Sequence, residues 1–410
     1  MKEFFHVIDI DEALSRSRCF LPLVYEEIPI NRALNRVLAA PVKSPEDLPP
    51  FTRSTMDGFA VTAAATFGAS ESNPTLMTVA GTVAMGMPPD FEIHHGQAAR
   101  ISTGGMLPKG ADAVIMVEHT AALDDTCIEV YKSAAPGMNM IQAGEDFKRG
   151  EDLVAAGFRL RAQETGVLAA MGISRVKVRR VPRIAIVSTG DEIVAADETP
   201  CPGKLRDVNS YTLAGQCAAA GAEPLLKGIV SDQFELLKSA LMAAFQDSDM
   251  VLISGGSSVG VRDLSLQAIS GMPGARILAH GISISPGKPT ILADCGGKPV
   301  IGLPGQVTSA MVVFTVVVEP IIRRLSGEAG DNRRLPAIPA QISRNVVSAQ
   351  GRDDFVRVRL VKTEAGYLAE PILGKSGLLH TMVRADGLIR IPKHLEGVEK
   401  GDTVWVMPLV

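Results

Sequence analysis

The runs IAIVSTGDEI (184–193), MVLISGGSSVGVRD (250–263) and VIGLPGQVTSAM (300–311) each carry the chain from an apolar stretch into a glycine-rich turn. A fourth turn, ISPGKPTIL (284–292), lies between the second and third. Short β-branched runs without alternation suit strands buried on both faces, as in a parallel sheet covered by helices. Glycine permits the positive φ and close backbone approach that strand-to-helix turns require. Amides left free in such turns favour anions. Ligands of open α/β sheets bind at the carboxyl ends of the strands. The stretch from Arg183 to Ala310 therefore predicts a doubly wound α/β domain with its site on these turns, where Asp191, Glu192 and Asp263 supply carboxylates. Glycine turns alone follow from the fold; Glu, Asp and Lys at comparable strand ends are what mark a site. GGSSVG departs from the dinucleotide fingerprint, and no turn ends in Gly-Lys-Ser/Thr, which disfavours nicotinamide and P-loop enzymes.

A chain of 410 residues predicts two to four domains, at about 150 residues each. Apolar residues make up 46% and charged residues 21%, enough to build real cores. A net charge of −4 argues against a nucleic-acid partner, which calls for a basic stripe. An anionic small molecule remains open, provided its positive charges are local. The five cysteines, Cys19, Cys127, Cys201, Cys217 and Cys295, are scattered and never in C-x-x-C spacing. That pattern argues against a disulfide framework or thiolate cluster and fits a reducing, cytoplasmic setting. The N-terminal MKEFFHVIDIDEAL carries acids where a signal peptide needs an apolar core. The most apolar run, AMVVFTVVV (310–318), stops at Glu319-Pro320 and is too short for a bilayer. It is expected to be a buried helix or strand.

Outward from the α/β stretch, residues 6–18 and 31–39 show helical spacing of apolar positions. SPEDLPPFTRSTMDGFAV (44–61) opens irregularly and then enters a strand; Asp57 in its turn either bonds nearby amides or faces a ligand. LMTVAGTV, AARISTGG, DAVIMVEH and CIEV, between 76 and 130, predict a compact β-rich unit, with Thr103 in a polar turn. NMIQAGEDFKRGEDLVAAG (139–157) sets Glu145 and Asp146 beside a glycine. RAQETGVLAAMGI (161–173) reads as a helix burying Leu168 and Met171 and ending near Gly172. Helices are expected at 209–220 and 233–245 and strands at 225–230 and 276–281, with Asp232 as a helix cap. After Gly327 the alternating runs predict a small C-terminal barrel or sandwich, with Arg357 and Arg359 on a solvated face. Arg352, in the turn before that strand, is freer to reach a ligand. The expected domains are 1–45 plus 147–177, a helical and extended N-terminal body; 46–146, the inserted β-rich domain; 178–327, the α/β domain; and 328–410, the barrel-like domain.

STMDGFAV, RISTGGMLPKGADAVIMVE, GEDFKRG, IVSTGDE, ISGGSSVGVRD, PGKP, GLPG and GRDDFVR occur in that order. Together they make the chain, from about Ile8 to its C-terminus, resemble the molybdopterin molybdenumtransferase family, the MoeA type. It is similar also to the catalytic C-terminal part of gephyrin. The resemblance implies a four-domain subunit in a homodimer. It implies magnesium-dependent insertion of molybdate into adenylylated molybdopterin, releasing AMP and the molybdenum cofactor. A polyanionic pterin substrate suits amide cradles, and molybdate suits a lysine, an arginine and hydroxyls. Anhydride cleavage suits a metal held by carboxylates.

On the family pattern, Glu192 and Asp263 would be the magnesium and phosphate-cleavage carboxylates. Lys288, Pro289, Ser309, Arg352 and Ser376 would line the molybdate site. Asp57, Thr103 and Asp146 resemble polar residues that reach the cleft from the inserted domain, across the dimer. The adenylylated substrate is assigned Thr103, Ser188, Gly190, Asp232, Ser254, Gly255, Gly256 and Ser257. Local turn and cap bonding remains the alternative for Asp146 and Asp232. The expected partners are a molybdopterin adenylyltransferase and cofactor-accepting enzymes.

Three departures stand out. The family's usual Lys-Pro-Gly-Lys-Pro is here Ser285-Pro286-Gly287-Lys288-Pro289, Gly281 stands where some members have another lysine, and GLPGNP is here GLPGQV, with Gln306 and Val307. They bear on anion affinity and on molybdate against tungstate. The other readings are a tungstate-preferring paralogue, an adenylyltransferase-like enzyme that would consume ATP, and a non-catalytic scaffold.

Overall fold

The computed structural model describes residues 7–255, 259–330 and 336–409, with side chains for all of these except 259–263. The chain divides into two compact units: Pro41–Ala155 with Ala162–Ser174, and the remainder. This division is coarser than the four domains expected, and it groups the helix Ala162–Ala170 with the inserted β unit.

The larger unit is built on a six-stranded sheet. Its strands are β1 (Arg183–Thr189), β2 (Glu223–Val230), β3 (Met250–Gly255), β4 (Ala275–His280), β5 (Ile291–Cys295) and β6 (Lys298–Leu303). They lie in the order β2-β1-β3-β6-β5-β4. The first four run parallel; β5 runs antiparallel to β6, and the edge strand β4 is antiparallel to β5 and so shares the direction of the first four. The three apolar runs that pointed to the fold are thus the three neighbouring strands β1, β3 and β6, ending side by side. Successive residues of each strand enter opposite cores. Ile184, Ile186, Leu252 and Ile301 pack on one face, and Ala185, Val187, Val251 and Ile253 on the other. Helix α1 (Asn209–Ala219) covers the first face through Leu213 and Cys217. Helices α2 (Phe234–Asp247) and α3 (Val259–Ser270) cover the second through Leu237, Leu241, Ala268 and Ile269.

The apolar run after Gly305 is a buried helix. It starts as α4 (Val307–Val313), widens into a π-helical turn at Phe314–Val318, and continues as Glu319–Leu325. Pro320 therefore does not end it. Proline cannot donate to the carbonyl four residues back, and the wide turn immediately before it absorbs that break.

The C-terminal strands are β7 (Ile338–Ile342), β8 (Asp353–Thr363), β9 (Gly366–Pro371), β10 (Gly387–Ile391) and β11 (Thr403–Pro408). They pair β8-β9-β7-β11-β10, and β10 returns to β8, so the barrel closes. The two-residue strand Ile284–Ser285, from the α/β part, adds to β8 in parallel opposite Asp353 and Asp354. Arg359 is exposed beside Glu370, but Arg357 is buried rather than solvated. The segment following β9 reaches it: Arg357 donates to the Gly374 carbonyl at 3.0 Å, and its Nε and Nη1 have no partner among the described residues.

At the N-terminus, Asp9 caps the helix Ile10–Arg16 by accepting from the Glu12 amide at 2.8 Å. The helix expected at 31–39 does not form. A single 3₁₀ turn, Ile30–Arg32, is followed by left-handed Asn35 (φ 65°). Val37 and Leu38 instead bridge to Arg159 and Val178, so Ala33, Val37 and Leu38 are buried through strand-like contacts.

The smaller unit holds a second six-stranded sheet. Its central strand Gly58–Val61 lies antiparallel between Ala113–Met116 and Gln97–Ile101, with Thr75–Thr82, Cys127–Val130 and Thr120–Ala122 beyond. Its cores hold Phe59, Met77 and Ile115 on one face and Ile93, Ile101 and Val114 on the other. In the helix Ala162–Ala170 and its end, Leu168 and Met171 are buried as expected.

Candidate active site

Two adjoining cavities open at the carboxyl ends of β1, β3 and β6, and Gly255, Gly305 and Gln306 line both. Close backbone approach makes this possible. Gly255 has φ 145°, and a Cβ there would stand 1.9 Å from the Thr189 carbonyl oxygen, so only glycine lets β3 end flush against β1. Gly287 has φ 121°, and its Cβ would lie 2.5 Å from Val313, which seats the 284–292 turn against the buried helix.

The first cavity, of about 700 Å³, is lined by Lys288, Pro289, Ser309, Arg352 and Ser376, with Ser285 and Gln306. All five residues assigned to molybdate therefore meet, although they come from four separate stretches of chain. Lys288 is exposed and pairs with no carboxylate among the described residues. Arg352 pairs with Asp354, its Nε 2.9 Å from Oδ1 and its Nη2 donating to Oδ2 at 3.5 Å. Asp354 also accepts from Ser348 at 2.8 Å. Its neighbour Asp353 points to the other face of β8 and takes both forks of Arg390, at 3.2 and 3.1 Å. The two cations thus outnumber the one carboxylate near them, and the cavity is suited to an anion. Ser376 donates its hydroxyl to Gln306 Oε1, and its carbonyl accepts from the Thr308 amide at 3.1 Å. Ser309 is buried at the cavity wall.

The second cavity, of about 500 Å³, collects Ser188, Glu192 and Ser254, together with Lys204, Arg206 and Asn209. Ser188 shares a 2.8 Å hydrogen bond with Ser210. Ser254 accepts from Asn209 Nδ2 at 2.7 Å, and the same nitrogen donates to Gly305 at 2.8 Å. Asn209 Oδ1 has no partner among the described residues. Glu192 is exposed with no cation paired to it among the described residues, and Gly190, at φ 150°, leaves room beside its carboxylate.

Asp232 lies outside both linings. It is not a helix cap: Gln233 holds that position, and Asp232 instead accepts the Thr189 hydroxyl at 2.6 Å. Its own amide donates to Asp191 at 3.1 Å. The carboxylates at the ends of β1 and β2 are therefore tied to each other's turns, a tertiary arrangement with no local signal. Gly256 and Ser257, and the side chain of Asp263, lie outside the described residues.

In the smaller unit the structure brings Asp57 and Thr103 together, the Asp57 carboxylate accepting from the Thr103 amide at 2.7 Å. Asp146 is exposed elsewhere in that unit, and its backbone amide donates to Leu48 at 3.0 Å. Among the described residues no cluster of three or more His, Cys, Asp or Glu is arranged around a metal position.

Sequence reasoning did not assign Asn209, Lys204 or Arg206 to the site, and it named Gln306 only as a departure from the family motif that bears on anion affinity. Asn209 opens a helix, where its type suggests only a cap. The other three are placed by the fold of the 190–206 segment and by the turn after β6.

Three family models match consecutive parts of the chain: the MoeA N-terminal region (domain I and II) at residues 8–172, a "probable molybdopterin binding domain" at 185–324, and the MoeA C-terminal region (domain IV) at 339–409. The molybdopterin molybdenumtransferase of Bacillus subtilis is 32% identical over 98% of this chain and 94% of its own length. That of Haemophilus influenzae is 30% identical, covering 98% of both chains. A crystal structure of the molybdopterin biosynthesis MoeA protein from Pyrococcus horikoshii superposes with a TM-score of 0.84 at 30% identity, covering 98% of this chain and 100% of that one. With the same regions in the same order and relatives aligned along nearly its whole length, the chain belongs to the MoeA-type molybdopterin molybdenumtransferase family.

Proposed function

We propose that this chain is the transferase that inserts molybdenum into adenylylated molybdopterin, taking molybdate and releasing AMP and the molybdenum cofactor. The observation that carries the reading is the meeting of Lys288, Ser309, Arg352 and Ser376 in one cavity beside a second, carboxylate-bearing one. Lys288 and Arg352 would hold the oxyanion, since charge-assisted hydrogen bonds to an anion are the strong ones. Ser188, Ser254 and Asn209 would orient the pterin and its phosphates.

Magnesium fits the second cavity. It takes one or two carboxylates and completes its shell with phosphate oxygens and water, so Glu192 without a three-carboxylate cluster is a suitable donor set. Glu192, with Asp263 on the family pattern, would hold it. Bound there, the ion would neutralise charge on the anhydride oxygens.

We further propose a homodimer in which Asp57, Thr103 and Asp146 complete the partner subunit's cleft, a closed twofold pair being the commonest symmetric assembly. The substrate must come from a reaction that joins AMP to the pterin phosphate, and the product must pass to cofactor-accepting enzymes. A cytoplasmic setting suits the five free cysteines. No helix among the described residues is long and apolar enough to cross a membrane.

The test is incubation with adenylylated molybdopterin, magnesium and molybdate or tungstate, following AMP and cofactor. Oxyanion-dependent AMP release is expected. ATP consumption with unmodified molybdopterin would instead make the chain an adenylyltransferase, and neither reaction would leave a scaffold. A solely 43.3 kDa species in light scattering would refute the dimer.

A further inference from the structure

Gln306 stands at the junction of the two cavities and lines both. It follows the turn after β6 and precedes α4, where its side chain makes no helix-capping bond. Its Oε1 instead accepts the hydroxyl of Ser376, whose carbonyl is held by the Thr308 amide. A serine hydroxyl has a single proton. With that proton given to Gln306, Ser376 turns only lone pairs toward the cavity. An oxyanion likewise offers only lone pairs, so Ser376 in this arrangement has nothing to donate to it. The carboxamide carries two N–H donors on its other end. Gln306 is exposed at the cavity wall, and no described residue accepts from its Nε2.

We propose that Gln306 is a specificity-determining residue of the cleft, presenting Nε2 as a hydrogen-bond donor to the bound oxyanion while Oε1 holds Ser376. The proposal rests on the reading of the first cavity as the oxyanion site and deepens it. In this chain the donor set becomes Lys288, Arg352 and the Gln306 amide, with Ser376 as the residue that orients the amide. The family's usual asparagine, one methylene shorter, would place its amide nearer its own backbone, so the longer side chain changes where a donor meets the ligand.

The test is calorimetric titration of the full-length protein with molybdate, and separately with tungstate. It compares wild type, Ser376→Ala, the double variant Ser376→Ala/Gln306→Met, and Lys288→Ala. Methionine matches glutamine in length and removes the donor. Removing Ser376 in both arms prevents its freed proton from compensating. Expected are a partial loss of about threefold for Ser376→Ala, which leaves the amide free to turn, and a further loss of about tenfold for the double variant, the scale of one hydrogen bond to a charged group. The urea unfolding midpoint should stay the same in both, which separates a donor from a structural prop. If Ser376→Ala alone shows the full loss, or the double variant equals Ser376→Ala while Lys288→Ala binds weakly, the proposal is wrong and the site reading stands. If Lys288→Ala also binds like wild type, the oxyanion site itself is misplaced and the proposal falls with it.

Discussion

Replacing Ser285 by lysine should tighten oxyanion binding about fivefold at low salt. Ser285 lines the first cavity with Lys288 and Arg352, and its backbone lies in register with Asp354 on β8. Two unit charges about 4 Å apart interact by about 4 kcal/mol at an effective dielectric near 20. The cavity is open to water and Lys288 is exposed, so a quarter of that, about 1 kcal/mol, is a reasonable yield, or about fivefold in affinity. Asp354 does not undo the effect. If the new ammonium pairs with Asp354, it displaces Arg352, whose guanidinium is then released to the ligand. The net charge facing the oxyanion rises by one in either case. The assay is a molybdate titration of AMP release, wild type beside Ser285→Lys, at low and high salt. The half-saturating molybdate concentration should fall about fivefold at low salt, and the difference should shrink as ionic strength rises. Superimposed curves would refute the reasoning, as would a gain insensitive to salt.

Four further outcomes are expected. Glu192→Gln should raise the magnesium concentration needed for AMP release while leaving direct molybdate binding unchanged; an unaltered magnesium dependence would remove Glu192 from the metal site. Gly255→Ala, whose Cβ would meet the Thr189 carbonyl at 1.9 Å, should cost about 3 kcal/mol or more in chemical denaturation; a wild-type midpoint would contradict the close approach of β1 and β3. Asp9→Ala should cost about 1 kcal/mol near neutral pH. The Asp9 carboxyl is held below its ordinary value by the Glu12 amide and then Lys393, so that stabilisation is present above the unfolded pKa and fades as pH falls through the lowered one; urea midpoints that diverge further on acidification would reverse the sign. Burial pushes the Cys217 thiol up to about 12 and Cys295 up to about 11, so alkylation of the native protein at pH 8 should label exposed Cys201 and spare these two.

The α/β core was readable because β1, β3 and β6 are buried on both faces, and a buried parallel strand writes itself as an unbroken β-branched run. The barrel was readable because its strands alternate. What escaped depends on partners far away in the chain. The 31–39 segment has helical spacing, yet its apolar residues are claimed by bridges to Arg159 and Val178. Arg357 looks solvated beside Arg359 until the segment after β9 folds over it. Asp232 looks like a cap until the Thr189 hydroxyl, from another strand, claims its carboxylate. The cavity residues follow the same division. Lys288 and Arg352 lie in motifs that can be recognised, whereas Gln306 acquires its partner only because Ser376 arrives from a loop beyond the barrel's third strand in sequence.

The short strand Ile284–Ser285 has a mechanical consequence. Its pairing with Asp353 and Asp354 hangs the closed barrel on the α/β sheet right beside Lys288 and Arg352, the two cations that one oxyanion would bridge. Phe355 and Leu388 of the barrel are buried in the same core as the α/β strands, so the strand pair is one fastening among several. An oxyanion held by Lys288 and Arg352, as proposed, would add a further fastening across the same seam, and its binding free energy would add to the resistance against parting the two.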